Sequence, residues 1–171
     1  MQPFEKFSDD ELNKLYKQFT GISSKVYINP SIPLPKNAYN QKRNRYRADS
    51  LIKFLRGRVK NDTVIIGITN KDISTSKGKI NDWGVMGLGY RPGKSCIVST
   101  YRLNKKQLSE QLYKVTAHEF GHTQGLDHCP DKSCIMRDAE GRNPLNEENE
   151  FCPKCKSYLI NKGFFAVTEK K

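Results

Sequence analysis

His118-Glu119-Phe120-Gly121-His122-Thr123-Gln124-Gly125-Leu126-Asp127-His128 contains all three histidines of the chain. Residues four apart share a face of an α-helix, so the imidazoles of His118 and His122 reach one ion if the segment is helical. Glu119, one position along, then stands beside that ion rather than on it, where a general base must stand. Gly125 allows a sharp backbone turn, and His128 follows as a third ligand. Three neutral nitrogens leave a fourth position for water, the open arrangement of a catalytic zinc. A bare pair of histidines at this spacing often arises by chance. The full pattern is far more restrictive, and no histidine lies outside it.

Upstream, Leu108, Leu112 and Val115 fall on one helical face, which predicts a long helix over about 104–124 ending at Gly125. Ser8-Asp9-Asp10-Glu11 reads as a capping box opening a helix over about 8–20. Lys25–Ile28 reads as a short strand, and the proline-rich 30–36 as a loop. A second helix is expected over about 47–58 from Leu51, Ile52 and Leu55. The β-branched run Thr63–Thr69 predicts a strand buried on both faces, and the polar 71–79 a loop. Gly84–Tyr90 and Ser95–Thr100, joined by the turn Arg91–Lys94, read as antiparallel strands. Tyr158–Lys162 reads as a short closing helix. This is an α/β (α+β) pattern in one domain, 1–171. Its upper subdomain covers about 1–124, and a lower, irregular one covers about 125–171.

Cys129 and Cys134 have four residues between them, and Cys152 and Cys155 have two. That is the spacing of a closed, structural zinc held by four thiolates. Two disulfides, or free thiols, are the alternatives. Secreted disulfide scaffolds are usually shorter and spread their cysteines more widely. Cys96, inside a predicted strand, reads as a buried apolar residue.

The histidine motif is followed directly by Cys129, then Cys134, Met136 and Cys152-Pro153-Lys154-Cys155. In this it resembles the archaemetzincin family of the metzincin zinc metallopeptidases. The resemblance is specific over 118–155 and softer around Gly84–Leu103. It implies a metzincin-like fold: a twisted mixed sheet with two or three helices above an irregular Cys-rich C-terminal subdomain, and a cleft between. It implies two Zn²⁺ per chain, one catalytic on His118, His122 and His128 and one structural on Cys129, Cys134, Cys152 and Cys155. Met136 would be a packing floor beneath the histidines rather than a ligand. A peptide would lie along the edge strand Gly84–Tyr90, where Trp83 and Tyr90 either form side-chain pockets or simply pack. Some metzincins place a tyrosine shortly after the methionine. Here Arg137-Asp138-Ala139 follow it, so the oxyanion-stabilising group stays unidentified.

The expected function is zinc-dependent hydrolysis of a peptide or protein substrate, with Glu119 assisting attack by zinc-bound water. One alternative is a latent or inactive metzincin-fold zinc protein. Another is a basic, zinc-stabilised nucleic-acid-binding module using the patch Lys36–Arg47, where Tyr39 and Tyr46 sit among cations. The formal charge of +12 is spread along the chain, and four thiolates with two Zn²⁺ leave it unchanged. That balance points to acidic peptides. No stretch approaches the roughly 20 apolar residues that cross a bilayer, so no membrane partner is expected. The N-terminal residues have no apolar signal-peptide core, and thiolate-bound zinc suits a reducing compartment. A cytoplasmic monomer is the expectation.

Overall fold

The computed structural model describes residues 1–165. In chain order the elements are β1 (Gln2–Pro3), α1 (Asp9–Phe19), β2 (Tyr39–Asn40), β3 (Arg45–Arg47), α2 (Ala48–Arg56) and β4 (Ile65–Thr69). There follow β5 (Ile73–Lys77), β6 (Ile80–Val85), β7 (Gly87–Gly89), β8 (Ser95–Ser99), α3 (Leu108–Thr123) and α4 (Pro153–Asn161).

One mixed sheet has the order β1-β4-β8-β7. Strand β4 runs parallel to both β1 and β8, and β7 pairs antiparallel with β8 at the edge. Side chains alternate between faces along a strand, and both faces of β4 and β8 are covered. Ile66, Ile68, Cys96 and Val98 enter a core with Leu12, Leu15 and Phe19 of α1 and Leu112 and Phe120 of α3. Ile97 points the other way, into a second core with Leu51, Ile52 and Leu55 of α2. Half of the expected capping box at α1 forms: the Ser8 hydroxyl accepts from the Glu11 amide at 3.3 Å, while the Glu11 carboxylate accepts from Lys14 and Ser109 instead of the Ser8 amide. Leu145, Phe151 and Leu159 join the first core, so the C-terminal segment packs onto the same apolar mass as α3.

A second sheet, β2-β3-β5-β6, departs from the expectations. The polar segment 71–79, expected to be a loop, contains β5, which pairs with β3 in parallel and β6 in antiparallel fashion. Ile73 anchors this sheet in the second core, and ion pairs hold the rest of it. Asp72 accepts two hydrogen bonds of 2.9 Å from Arg102 and pairs with Arg45 at 3.0 Å. Asp82 accepts from Ser74 at 2.5 Å and pairs with Arg43 at 3.0 Å. An apolar-periodicity test cannot detect a strand stabilised this way. The run Gly84–Tyr90 is likewise split, its first part in β6 of one sheet and its second in β7 of the other. Lys25–Ile28 forms no strand: Tyr27 O accepts from the Met1 amino group, and Asn29 N donates to Met1 O at 2.9 Å, without a ladder. α4 begins at Pro153 instead of near Tyr158, because a proline suits the first turn of a helix.

Candidate metal centres and cleft

α3 carries His118, Glu119 and His122, and is buried along most of its length. Gly125 stops it with φ +101°, a left-handed value that a side chain strains to adopt. The chain then doubles back and brings His128 to the same face. Ring centroids lie 4.6 Å apart for His118–His122, 4.9 Å for His122–His128 and 5.4 Å for His118–His128.

Two of the imidazoles are anchored by a hydrogen bond through Nδ1, and the third faces a carboxylate. His118 Nδ1–H donates to Ile135 O at 2.7 Å, and His122 Nδ1–H to Leu126 O at 2.8 Å. His128 Nδ1 faces Asp138 Oδ2 at 3.4 Å. A carbonyl only accepts, so the proton sits on Nδ1 and the Nε2 lone pair is free. His122 Nε2 and His128 Nε2 are 3.2 Å apart. Tetrahedral zinc with Zn–N of about 2.0–2.1 Å requires about 3.3 Å between ligand nitrogens. Burial, with the neighbouring His122, pushes His118 down to about 3, so it is a neutral ligand at ordinary pH. These residues fit zinc.

Glu119 is 8% exposed and lies against the edge strand β7, its carboxylate accepting from the Gly89 amide. Burial pushes the carboxyl up to about 8. A dication among the imidazoles would favour its ionised form. The approach is close enough to require glycine. A Cβ on Gly87 would stand 2.6 Å from Glu119 Cγ, and one on Gly89 2.7 Å from the Glu119 carbonyl. Met136 is fully buried under α3, and a Cβ on Gly121 would strike its sulfur.

The four cysteines Cys129, Cys134, Cys152 and Cys155 form no disulfide, and their sulfurs lie within 4.8 Å of one another. Cys129 and Cys152 Sγ are 3.8 Å apart, the edge expected of a tetrahedron with Zn–S of about 2.3 Å. Burial pushes Cys134 up to about 11 and raises Cys155 too, whereas at Cys152 burial is outweighed by hydrogen bonds from the neighbouring cysteines, which lower it. A cation would favour the thiolate forms of the two buried sulfurs. Cys134 Sγ accepts from the Met136 and Cys152 amides at 3.4 and 3.3 Å. Cys129 N donates to Met136 O at 2.8 Å. Ile135 and Met136 therefore touch both centres.

His118, Glu119 and His128 line a cleft of about 560 Å³ bounded by β6, β7 and the segment after Met136. Trp83 lines it too, whereas Tyr90 faces a separate hollow beside Arg56 and Lys94. The arginines of the patch Lys36–Arg47 are engaged: Arg43 with Asp82, Arg45 with Asp72, Arg47 with Asp49. Tyr39 and Tyr46 pack on each other at 5.0 Å. Four participants escaped sequence reasoning: Asp138 behind His128, Gly87 and Gly89 against Glu119, and Arg102 in the cleft wall. Two glycines at alternate positions of a predicted strand were the one available signal. Nothing in the sequence sets Asp138 or Arg102 apart.

A family model described as Peptidase family M54 matches residues 7–161. An archaemetzincin from Natronomonas pharaonis is 30% identical over 148 residues, covering 79% of this chain and 83% of that protein. One from Methanopyrus kandleri is 32% identical over 130 residues, covering 74% of this chain and 72% of that protein. Among solved structures, archaemetzincin from Methanopyrus kandleri superimposes with a TM-score of 0.77 at 25% identity, covering 94% of each chain. Archaemetzincin from Archaeoglobus fulgidus, complexed with malonate, gives 0.76 at 25% identity, covering 92% of this chain and 99% of that one.

Proposed function

Because this chain belongs to peptidase family M54 and is a zinc metallopeptidase acting on peptides, we propose that Glu119 is its general base and that His118, His122 and His128 hold the catalytic zinc. The observation that carries this reading is that the three histidines bring ligand nitrogens within 4.8 Å of one another beside a buried carboxylate, with His118 and His122 held through Nδ1. When bound, zinc supplies a Lewis acid that lowers the pKa of a coordinated water to about 7 and polarises the scissile carbonyl. Glu119 accepts the proton of the attacking water and returns it to the leaving amine. The Gly89 amide holds the carboxylate in place for both transfers. The outer edge of β7 offers backbone groups to an extended peptide, in the manner of strand addition.

A second zinc on Cys129, Cys134, Cys152 and Cys155 is structural in this proposal, joining the lower part of a single domain (about 125–171) to the part above the cleft (about 1–124). No helix among the described residues is long and apolar enough to cross a membrane. We further propose a cytoplasmic monomer; cysteines clustered as for a metal suit a reducing compartment.

Glu119→Ala tests the assignment. It should keep zinc at wild-type stoichiometry by metal analysis and lose turnover of a peptide library by about 10²–10⁴-fold. Cleavage at the wild-type rate by this variant would show that another group is the base.

A further inference from the structure

Glu148 lies in the segment after Met136 and lines the same cleft as His118, Glu119 and His128. It is 2% exposed, and its Oε2 has no hydrogen-bond partner among the described residues. Buried polar atoms are rarely left so, and an orphan beside a cavity asks what fills it.

The neighbouring cations do not answer this carboxylate. Lys114 Nζ binds Glu110 at 2.5 Å and the Leu145 carbonyl at 2.8 Å. Arg137 binds Glu147 at 2.6 Å. Each positive charge has its own acceptor, which leaves Glu148 without a compensating cation. Burial pushes its carboxyl up to about 7 even against the pull of Lys114 and Arg137. Val115, Pro144 and Leu145 line the same cleft. An apolar wall with one anionic acceptor suits an aliphatic stem that ends in a cation. Lys77, Arg102 and Arg142 also line the cleft; of its other carboxylates, Asp138 faces His128 and Glu119 lies against β7, so Glu148 is the one whose buried oxygen has no partner among the described residues.

We propose that Glu148 is a specificity residue that receives a positively charged nitrogen of the peptide substrate, either a Lys or Arg side chain or the peptide's own terminal ammonium. This rests on the reading of the cleft as the peptide site. It also departs from the acidic-peptide expectation drawn from net charge alone.

The test uses the full zinc-loaded chain carrying Glu119→Gln, so that binding is read without turnover. Peptides with a single lysine walked along a neutral sequence are compared with their Nε-acetyl-lysine counterparts, each with a free or an acetylated N-terminus. Fluorescence anisotropy should show the cationic peptide binding at least about tenfold more tightly than its neutral twin. The advantage should disappear when Glu148→Gln is added and survive in part with Glu148→Asp. Whether acetylating the lysine or the terminus removes it identifies which nitrogen is read. Equal or unmeasurable affinities within the pairs, or a preference that persists in Glu148→Gln, overturn the proposal. If Glu148→Gln fails to fold, Glu148→Asp and the acetylated pairs decide. Preference in binding without cleavage of the same peptides by wild type would instead sink the catalytic roles and leave Glu148's intact.

Discussion

Glu119 and Glu148 are both carboxyls taken out of water in one cleft, and in both burial favours the neutral form. For Glu148 this has a consequence for stability. Its folded-state pKa is raised from an ordinary 4.5 to about 7, so the native state binds that proton more tightly than the unfolded chain. The stabilisation is complete below about 4.5 and is lost as pH rises through about 7. Glu148→Gln removes the titration. Its melting temperature relative to wild type should therefore be higher at pH 8 than at pH 5. Calorimetry at the two pH values checks this, and an equal difference at both would show that the carboxyl is not held neutral. A residue that weakens the fold where it lines a binding cleft fits the trade between stability and function.

The contact between α3 and β7 sets the position of Glu119, the proposed general base. It depends on the absence of side chains at Gly87 and Gly89, since a Cβ on Gly89 would stand 2.7 Å from the Glu119 carbonyl. Backbone cannot yield as a flexible side chain does, so Gly89→Ala must push the sheet edge and the helix apart. The expected cost is about 1–3 kcal/mol in urea unfolding, with turnover falling at least about tenfold while zinc is retained. An unchanged midpoint would mean that the two elements tolerate a methyl between them. The elements also show what periodicity can read. Leu108, Leu112 and Val115 announce α3, and the β-branched run announces β4, because apolar burial leaves a pattern along the chain. β5 leaves none. Only Ile73 of it enters a core, and the rest is held through Asp72 and Asp82 by Arg45 and Arg102, which lie far away in sequence.

Across the whole molecule, the segment Ile135–Met136 links the histidine and cysteine clusters proposed to hold metal. Ile135 O holds His118, while Met136 exchanges hydrogen bonds with Cys134 and Cys129. Disturbing the thiolate cluster should then reach the histidines. Cys155→Ser is expected to lose one zinc and to lower the melting temperature by about 10–20 °C, the shift corresponding to a loss of ~5 kcal/mol at this size. The zinc remaining at the histidines should be stripped by a lower chelator concentration than in wild type. Zinc per chain along a chelator titration reads this. Loss of stability with no change in chelator sensitivity would show that the centres are independent.

Local spacing determined the candidate ligands, the general base and the helix that presents them. A helix turn and a four-residue interval are properties of contiguous chain, so His118, Glu119, His122 and the paired cysteines could be read directly. His128 required only a turn, which Gly125 announced. Tertiary structure decided everything that depends on groups meeting from far apart. It set Asp138 behind His128, Gly89 against Glu119, the ion-paired sheet at β5, and Glu148 beside the cleft with its Oε2 unpartnered among the described residues. Hydrogen bonds and ion pairs between distant residues impose no periodicity on either partner. Their pairing is set by how the chain folds back, and no window of sequence contains it.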